Sequence, residues 1–240
     1  MTPRFLSAGE CALVVEFGDR IDRALSEAVL GLQAILQAQP PRGIVETVPS
    51  FRSLMVHYDP LLTSRTELEG AIRNLFGCAE RPARAAKLWH VPICYEGAYA
   101  PDLPEVAARL GLAPAEVARL HSAPRYHVYM LGFLPGFPYL GDLPPQLALP
   151  RRAEPRLSVP AGSVSIALNL TAIYPYQSPG GWHLIGTTPI RLFDAAHPQP
   201  ALIMPGDGVR FEPVAPVRFA AIREAVMAGG YEVAHKPIAR

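Results

Sequence analysis

Between Tyr126 and Asp194, glycine and proline recur every few residues, and that spacing forbids a long helix. The stretch holds Tyr126-His-Val-Tyr-Met-Leu-Gly-Phe-Leu-Pro-Gly-Phe-Pro-Tyr-Leu-Gly141, then Val159-Pro-Ala-Gly-Ser-Val164, then Ile173-Tyr-Pro-Tyr-Gln-Ser-Pro-Gly-Gly-Trp-His-Leu-Ile-Gly186. It has to fold as short strands joined by fixed turns. Phe133, Phe137, Tyr139, Tyr174, Tyr176 and Trp182 fall within those turns, and the two glycine-rich turns carry almost no charge. A turn of this make-up packs against something or lines a pocket.

The rest of the composition narrows the class. With 240 residues, 50% hydrophobic and 18% charged, the chain can bury one or two cores and is not disordered. A net charge of +1 with scattered arginines gives no footprint for nucleic acid. Cys11, Cys78 and Cys94 form no Cys-x-x-Cys pair, which points to a reducing compartment and away from a disulfide framework or zinc ribbon. The first ten residues lack an apolar signal core, and no apolar run approaches the ~20 residues of a membrane span. A soluble, cytoplasmic protein is expected.

The first part of the chain reads as strand, helix, strand, strand, helix. Cys11 to Phe17 alternates as a strand, and Asp19 can cap a helix with the stripe Ile21, Leu25, Val29, Leu32 and Leu36. Ile44 to Val48 and Arg52 to Tyr58 are strand-like. Ser64-x-x-Glu67 is a capping box for a helix that buries Leu68, Ile72, Leu75 and Phe76 and closes at Gly77. The pattern predicts a ferredoxin-like βαββα domain over residues 1–84, a docking or scaffold unit without chemistry of its own. The boundary falls in Glu80-Arg-Pro-Ala-Arg-Ala-Ala-Lys87.

Residues 85–240 form the second expected domain. A strand from Leu88 to Tyr95 leads to two short helices, one capped by Asp102 and ending near Gly111, the other starting at Pro114. Strands are predicted at Tyr126 to Leu131, Val164 to Leu168, Trp182 to Ile185, Ile190 to Phe193, Ala201 to Met204 and Val209 to Glu212. Pro205-Gly-Asp-Gly208 is a turn, and Val217 to Ala228 has helical spacing. Short strands broken by Gly/Pro turns indicate an antiparallel barrel or sandwich, so the whole is α+β.

The string Leu120-His-Ser-Ala-Pro-Arg-Tyr-His-Val-Tyr-Met-Leu-Gly-Phe-Leu-Pro-Gly-Phe-Pro-Tyr-Leu-Gly141 resembles the signature of the family of 5-oxoprolinase B subunits. So do Pro150-Arg-Arg, Val159-Pro-Ala-Gly-Ser-Val164, Ile173-Tyr-Pro-Tyr-Gln-Ser-Pro-Gly-Gly-Trp182 and Ile185-Gly-Thr-Thr-Pro189. The family is also known as allophanate hydrolase subunit 1 or the sporulation-kinase-inhibitor family, and it corresponds to half of the carboxyltransferase domain of urea carboxylase. The resemblance implies a cyclophilin-like β-barrel after the first domain. It also implies work beside a homologous second polypeptide, the C subunit of 5-oxoprolinase, with the A subunit of that enzyme as a third component. Such complexes open 5-oxoproline to glutamate with ATP and Mg. In the family pattern glycine, glutamine and glycine stand where this chain has Leu168, Leu170 and Ala172, and an arginine stands at Thr187. Those departures bear on the substrate rather than the fold.

Opening a lactam calls for donors aimed at developing negative charge. Ser178, Pro179, Gly180, Gly181 and Trp182 could supply a nest of backbone N–H groups, or could be a tight turn plugging the barrel. Phe133, Pro135, Gly136, Phe137 and Tyr139 shape either a small-molecule pocket, a subunit interface or an aromatic mini-core. His127 and His183 are candidate acids or bases, or hydrogen-bonded barrel histidines. Tyr174 is a candidate donor, and Arg152 with Arg151 could hold a carboxylate or phosphate. No phosphate loop, nucleophile elbow or metal-ligand spacing is present. The expected reading is a non-autonomous subunit of an ATP-dependent amide hydrolase acting on a small-molecule amide, its site completed by another polypeptide. The alternatives are a histidine-kinase inhibitor and one subunit of an allophanate or ureido hydrolase.

Overall fold

Residues 2–78 and 85–238 are described in a computed structural model. They divide into two compact units, Met1–Ala85 and Ala86–Arg240. The expected linker at Glu80–Lys87 lies mostly outside the described residues. Among those described, no helix is long and apolar enough to cross a membrane.

The first unit contains β1 (Arg4–Ser7), β2 (Ala12–Glu16), α1 (Arg23–Ala38), β3 (Ile44–Pro49), β4 (Ser53–Tyr58) and α2 (Arg65–Cys78). Its sheet order is β1-β2-β4-β3. Both β2 and β3 run antiparallel to the β4 between them, so β2-α1-β3 is a split βαβ crossover. Leu13, Val15, Leu54 and Val56 from the strands pack with Leu25, Val29, Leu32, Leu68 and Ile72 from the helices. The capping box forms as read: Ser64 N–H donates to Glu67 Oε2 at 2.7 Å, and Glu67 N–H donates to Ser64 Oγ at 3.2 Å.

Three local expectations differ. Helix α1 is capped by Asp22, not Asp19: extended at φ −151°, Asp22 accepts from Ala24 N–H at 2.9 Å, and Ile21 stays outside the helix. Helix α2 runs through Gly77 to Cys78. The side chain of Phe76 lies outside what is described. Strand β1 has no counterpart in the sequence pattern, because Arg4–Ser7 is only four residues long and mostly exposed, so no alternation develops.

The second unit contains β5 (Lys87–Ile93), α3 (Leu103–Leu110), α4 (Pro114–Ser122), β6 (Tyr126–Leu131), β7 (Pro138–Gly141), β8 (Arg156–Val159), β9 (Ser163–Ala167), β10 (Leu170–Ile173), β11 (Ser178–Gly180), β12 (His183–Thr187), β13 (Gly208–Pro213), α5 (Pro216–Met227) and β14 (His235–Pro237). The main sheet has the order β12-β9-β10-β7-β6-β13-β5-β14, with β11 and β8 forming a separate ribbon. Cys94 and Thr187 exchange backbone hydrogen bonds of 2.9 and 3.0 Å, joining the β5 end of the sheet to β12 and closing it on itself. The closed sheet is not wholly antiparallel, since β5 and β13 pair in parallel. Ile190–Phe193 and Ala201–Met204 are not strands; they meet only in a bridge between Phe193 and Ala201. Proline at 189, 198 and 200 leaves too few donors there for a ladder.

A neutral histidine ties the interior together. His121, fully buried on α4, sits between Tyr95 and Thr171 and stacks on Phe211 at 4.7 Å. The Thr171 hydroxyl donates to Ser165 C=O at 2.9 Å, so its oxygen accepts from His121 Nε2–H at 2.9 Å, and Nδ1 accepts from Tyr95 O–H at 2.7 Å. Burial pushes the His121 imidazole down to about 3, and it pushes the Tyr95 and Tyr126 hydroxyls up. The unfolded chain therefore takes up a proton near pH 6.5 that the folded chain refuses until about pH 3. Stability from this group is complete above the upper limit and falls with pH inside that window, at up to about 1.4 kcal/mol per pH unit. Urea midpoints measured through that range are expected to drop more steeply for the wild type than for His121→Gln. Equal slopes would remove His121 from the account.

Candidate functional site

The sequence motifs that lie apart in the chain meet on the second unit. Strand alternation sends Val128, Leu140, Val164, Ile166 and Ile173 into the core, so their neighbours face away from it. Tyr139 on β7 lies opposite Ala172 on β10. Phe137 is buried with ring contacts to Phe133 at 5.4 Å, Tyr139 at 5.0 Å and Tyr174 at 5.1 Å. Tyr139 reaches Trp182 at 6.0 Å, and the Arg151 guanidinium stands over that indole at 5.9 Å. The result is a continuous aromatic wall with a cation at one end.

Close approach of backbone to ring builds this wall. A Cβ on Gly180 would lie 2.3 Å from the Tyr174 hydroxyl, and one on Gly136, at φ +75°, would lie 2.8 Å from Phe193 Cβ. Phe133 itself has φ +70° and is 60% exposed, so a large apolar ring is held out to solvent by a strained turn. Burial pushes the Tyr174 hydroxyl up to about 12, with Tyr139 adding to the rise and Arg151 and Arg156 opposing it. At neutral pH Tyr174 is a permanent O–H donor.

Beside the wall lies a charge cluster around Asp102. This carboxylate is buried, accepts from Leu184 N–H at 2.7 Å, contacts the Arg156 guanidinium and stands 3.6 Å from Arg152 Nη1. The sequence pattern makes Asp102 the cap of α3. It occupies the cap position but in helical backbone geometry, φ −98° and ψ −6°, and its side chain makes no capping bond. A buried charge needs charged or N–H partners, and β12 and the arginines supply them. Arg152 N–H donates to Gly181 C=O at 2.8 Å and His183 Nε2–H to Pro150 C=O at 3.0 Å, fixing the arginine-bearing loop along residues 181–183.

The site thus gathers Phe133, Gly136, Phe137, Tyr139, Arg152, Tyr174, Gly180, Gly181, Trp182 and His183. Pro135 is exposed on a flanking turn, Pro179 is exposed in the middle of β11, and Ser178 is buried at its start. One expectation is corrected. Ser178–Gly180 is a strand paired with β8, and neither Gly180 nor Gly181 has a positive φ, so no N–H nest forms there. His127 is buried on β6, edge-on to Tyr129 at 4.7 Å, with Gly141 and Gly208 as its strand partners. Sequence reasoning missed Arg156 and the central role of Asp102. The only available signal was the arginine spacing 151, 152, 156 between prolines.

Residues 3–203 match the model of the carboxyltransferase domain, subdomain C and D. The chain belongs to that family. It is similar to a Bacillus subtilis (strain 168) protein named as the B subunit of 5-oxoprolinase, at 37% identity over 230 residues, 90% of this chain and 95% of that protein. The crystal structure of TTHA0988 superposes with a TM-score of 0.76 at 41% identity over 85% of this chain, which spans only 40% of the TTHA0988 chain. The Kluyveromyces lactis urea carboxylase shares the fold, with a TM-score of 0.80 at 20% identity over 98% of this chain and 24% of its own.

In this carboxyltransferase-family chain Leu168, Leu170 and Ala172 lie on β10 and the turn before it. Leu168 keeps a left-handed φ of +56°, the geometry a glycine would adopt without strain. Ala172 lies opposite Tyr139 in the sheet. Thr187 is engaged elsewhere, donating to Tyr99 C=O at 2.7 Å. The adjacent glycines of the Ser-Pro-Gly-Gly-Trp motif are not equivalent: the nearest atom to a Cβ on Gly181 is 3.6 Å away. Thermal or urea unfolding is expected to place Gly180→Ala about 1–3 kcal/mol below wild type, the cost of overpacking. Gly181→Ala is expected to stay within about 0.5 kcal/mol. Equal losses at the two positions would contradict the close packing of Tyr174 on Gly180.

Proposed function

We propose that this chain is the B-type subunit of a 5-oxoprolinase. It acts in the cytoplasm with a homologous C-type partner and an A-type component to open 5-oxoproline to glutamate. The observation that carries the reading is similarity across 95% of a relative named as the B subunit of 5-oxoprolinase. The local chemistry supports it: a wall of rings, an O–H donor in Tyr174 and guanidinium groups suit a small, flat, anionic amide. We read residues 1–84 as a ferredoxin-like docking unit and 85–240 as a cyclophilin-like barrel carrying one side of a pocket. The split βαβ and the closed sheet favour those assignments. The partner supplies the other side.

ATP and Mg belong to the complex in this proposal and not to this chain. Among the described residues no three His, Cys, Asp or Glu side chains gather as a metal requires, and Asp102 is committed to Leu184 and two arginines. These residues do not fit a metal-bound nucleotide. What they can do is hold and orient the amide, donate a hydrogen bond from Tyr174 and keep water from one face. Cleavage of 5-oxoproline with ATP is expected when all subunits are mixed and to disappear when this chain is left out. Undiminished turnover without it would refute the assignment.

A further inference from the structure

Among the described residues, three inner polar atoms of the charge cluster are buried without a hydrogen-bond partner: Arg152 Nε, Arg156 Nη1 and His183 Nδ1. Two of them belong to guanidinium groups that meet one carboxylate. Both arginines face Asp102 Oδ1, and His183 precedes Leu184, whose N–H is on Oδ2. Native proteins seldom leave such atoms unpaired, so a group of their number and polarity should complete the site. The two guanidinium nitrogens can only donate. Because a carbonyl can only accept, the bond from His183 to Pro150 C=O puts the imidazole proton on Nε2 and leaves Nδ1 a lone pair. His183 is fully buried, whereas the Arg152 and Arg156 side chains keep 25% and 26% of their surface. The cluster is therefore approached from solvent on the side of the arginine side chains.

Two donors beside one acceptor is the complement of a carboxylate next to an N–H. An α-carboxy amide carries those groups on neighbouring atoms. A phosphate would satisfy the arginines and leave the imidazole lone pair facing an anion. We propose that Arg152, Arg156 and His183 form a subsite for an α-carboxy amide, the guanidinium groups taking the carboxylate and His183 Nδ1 the amide N–H. This rests on reading the chain as part of an amide hydrolase and names what that site would grip. Asp102 is a positioning residue in this subsite, because it holds both arginines without facing the ligand.

The test is calorimetric titration of the full chain, alone and assembled with its partner subunits, with four probes. 5-Oxoproline offers both groups, 2-pyrrolidone only the N–H, N-methyl-5-oxoproline only the carboxylate, and inorganic phosphate only an oxyanion. 5-Oxoproline is expected to bind tightest, and loss of the carboxylate or Arg156→Gln is expected to weaken binding about tenfold or more, as for hydrogen bonds to charged groups. N-methylation should weaken binding in the wild type but not in His183→Gln, and thermal unfolding of each variant checks that it folds. Equal affinity for 5-oxoproline and 2-pyrrolidone, unchanged affinity in Arg156→Gln, or phosphate binding as tight as 5-oxoproline would each overturn the subsite. If the assembled subunits cleave 5-oxoproline while the variants bind it normally, the subsite fails and the proposed function stands. If the chain binds α-carboxy amides but the subunits never cleave them, the function fails and the subsite stands.

Discussion

The buried carboxylate of Asp102 organises the candidate site. Asp102 leaves the start of α3 and binds the backbone of β12, and the two arginines of the 150–156 loop close over it. Taking that charge out of water is costly unless several donors meet it, and a well-packed apolar residue could have joined the same elements more cheaply. What the carboxylate adds is direction. It fixes where two guanidinium groups point, and through the loop it fixes Arg151 over Trp182. The aromatic wall and the cation at its end are therefore coupled to one acid that touches neither Tyr139 nor Trp182.

Glycine does complementary work at the wall. Gly180 lets β11 lie against the Tyr174 hydroxyl, and Gly136 lets the strained turn bearing Phe133 pass over Phe193. Rings packed on backbone cannot tilt far, so the wall is set before any ligand or partner arrives. The neutral His121 acts in the same direction from inside, linking α4 to β10 through Thr171 and to Tyr95 just beyond β5.

Much of this is legible in the sequence because much of it is local. The Ser64–Glu67 capping box and the Leu25, Val29, Leu32 and Leu36 stripe of α1 depend on residues a few positions apart. Strands β7, β8, β10 and β11 are not legible: each is three or four residues long, and several contain proline or glycine, so no periodicity can develop. The parallel pairing of β5 with β13 joins residues more than a hundred positions apart, beyond what any local pattern encodes. For the site, the motifs name the aromatics and Arg152 correctly as neighbours, since composition alone marks those turns as unusual. Asp102 is misread because an acid before a helix looks the same whether it caps the helix or turns to a distant strand.

The coupling of Asp102 to the wall can be read directly with 5-fluorotryptophan, since the chain has only Trp89 and Trp182. The Trp89 indole is held by Asp207 at 2.9 Å and serves as an internal reference in the same unit. Fluorine spectra of wild type and Asp102→Asn are the measurement. The Trp182 resonance should shift or broaden in the variant while that of Trp89 stays in place. Two unmoved resonances would mean that the wall stands without the carboxylate, and the organising role assigned to Asp102 would be wrong.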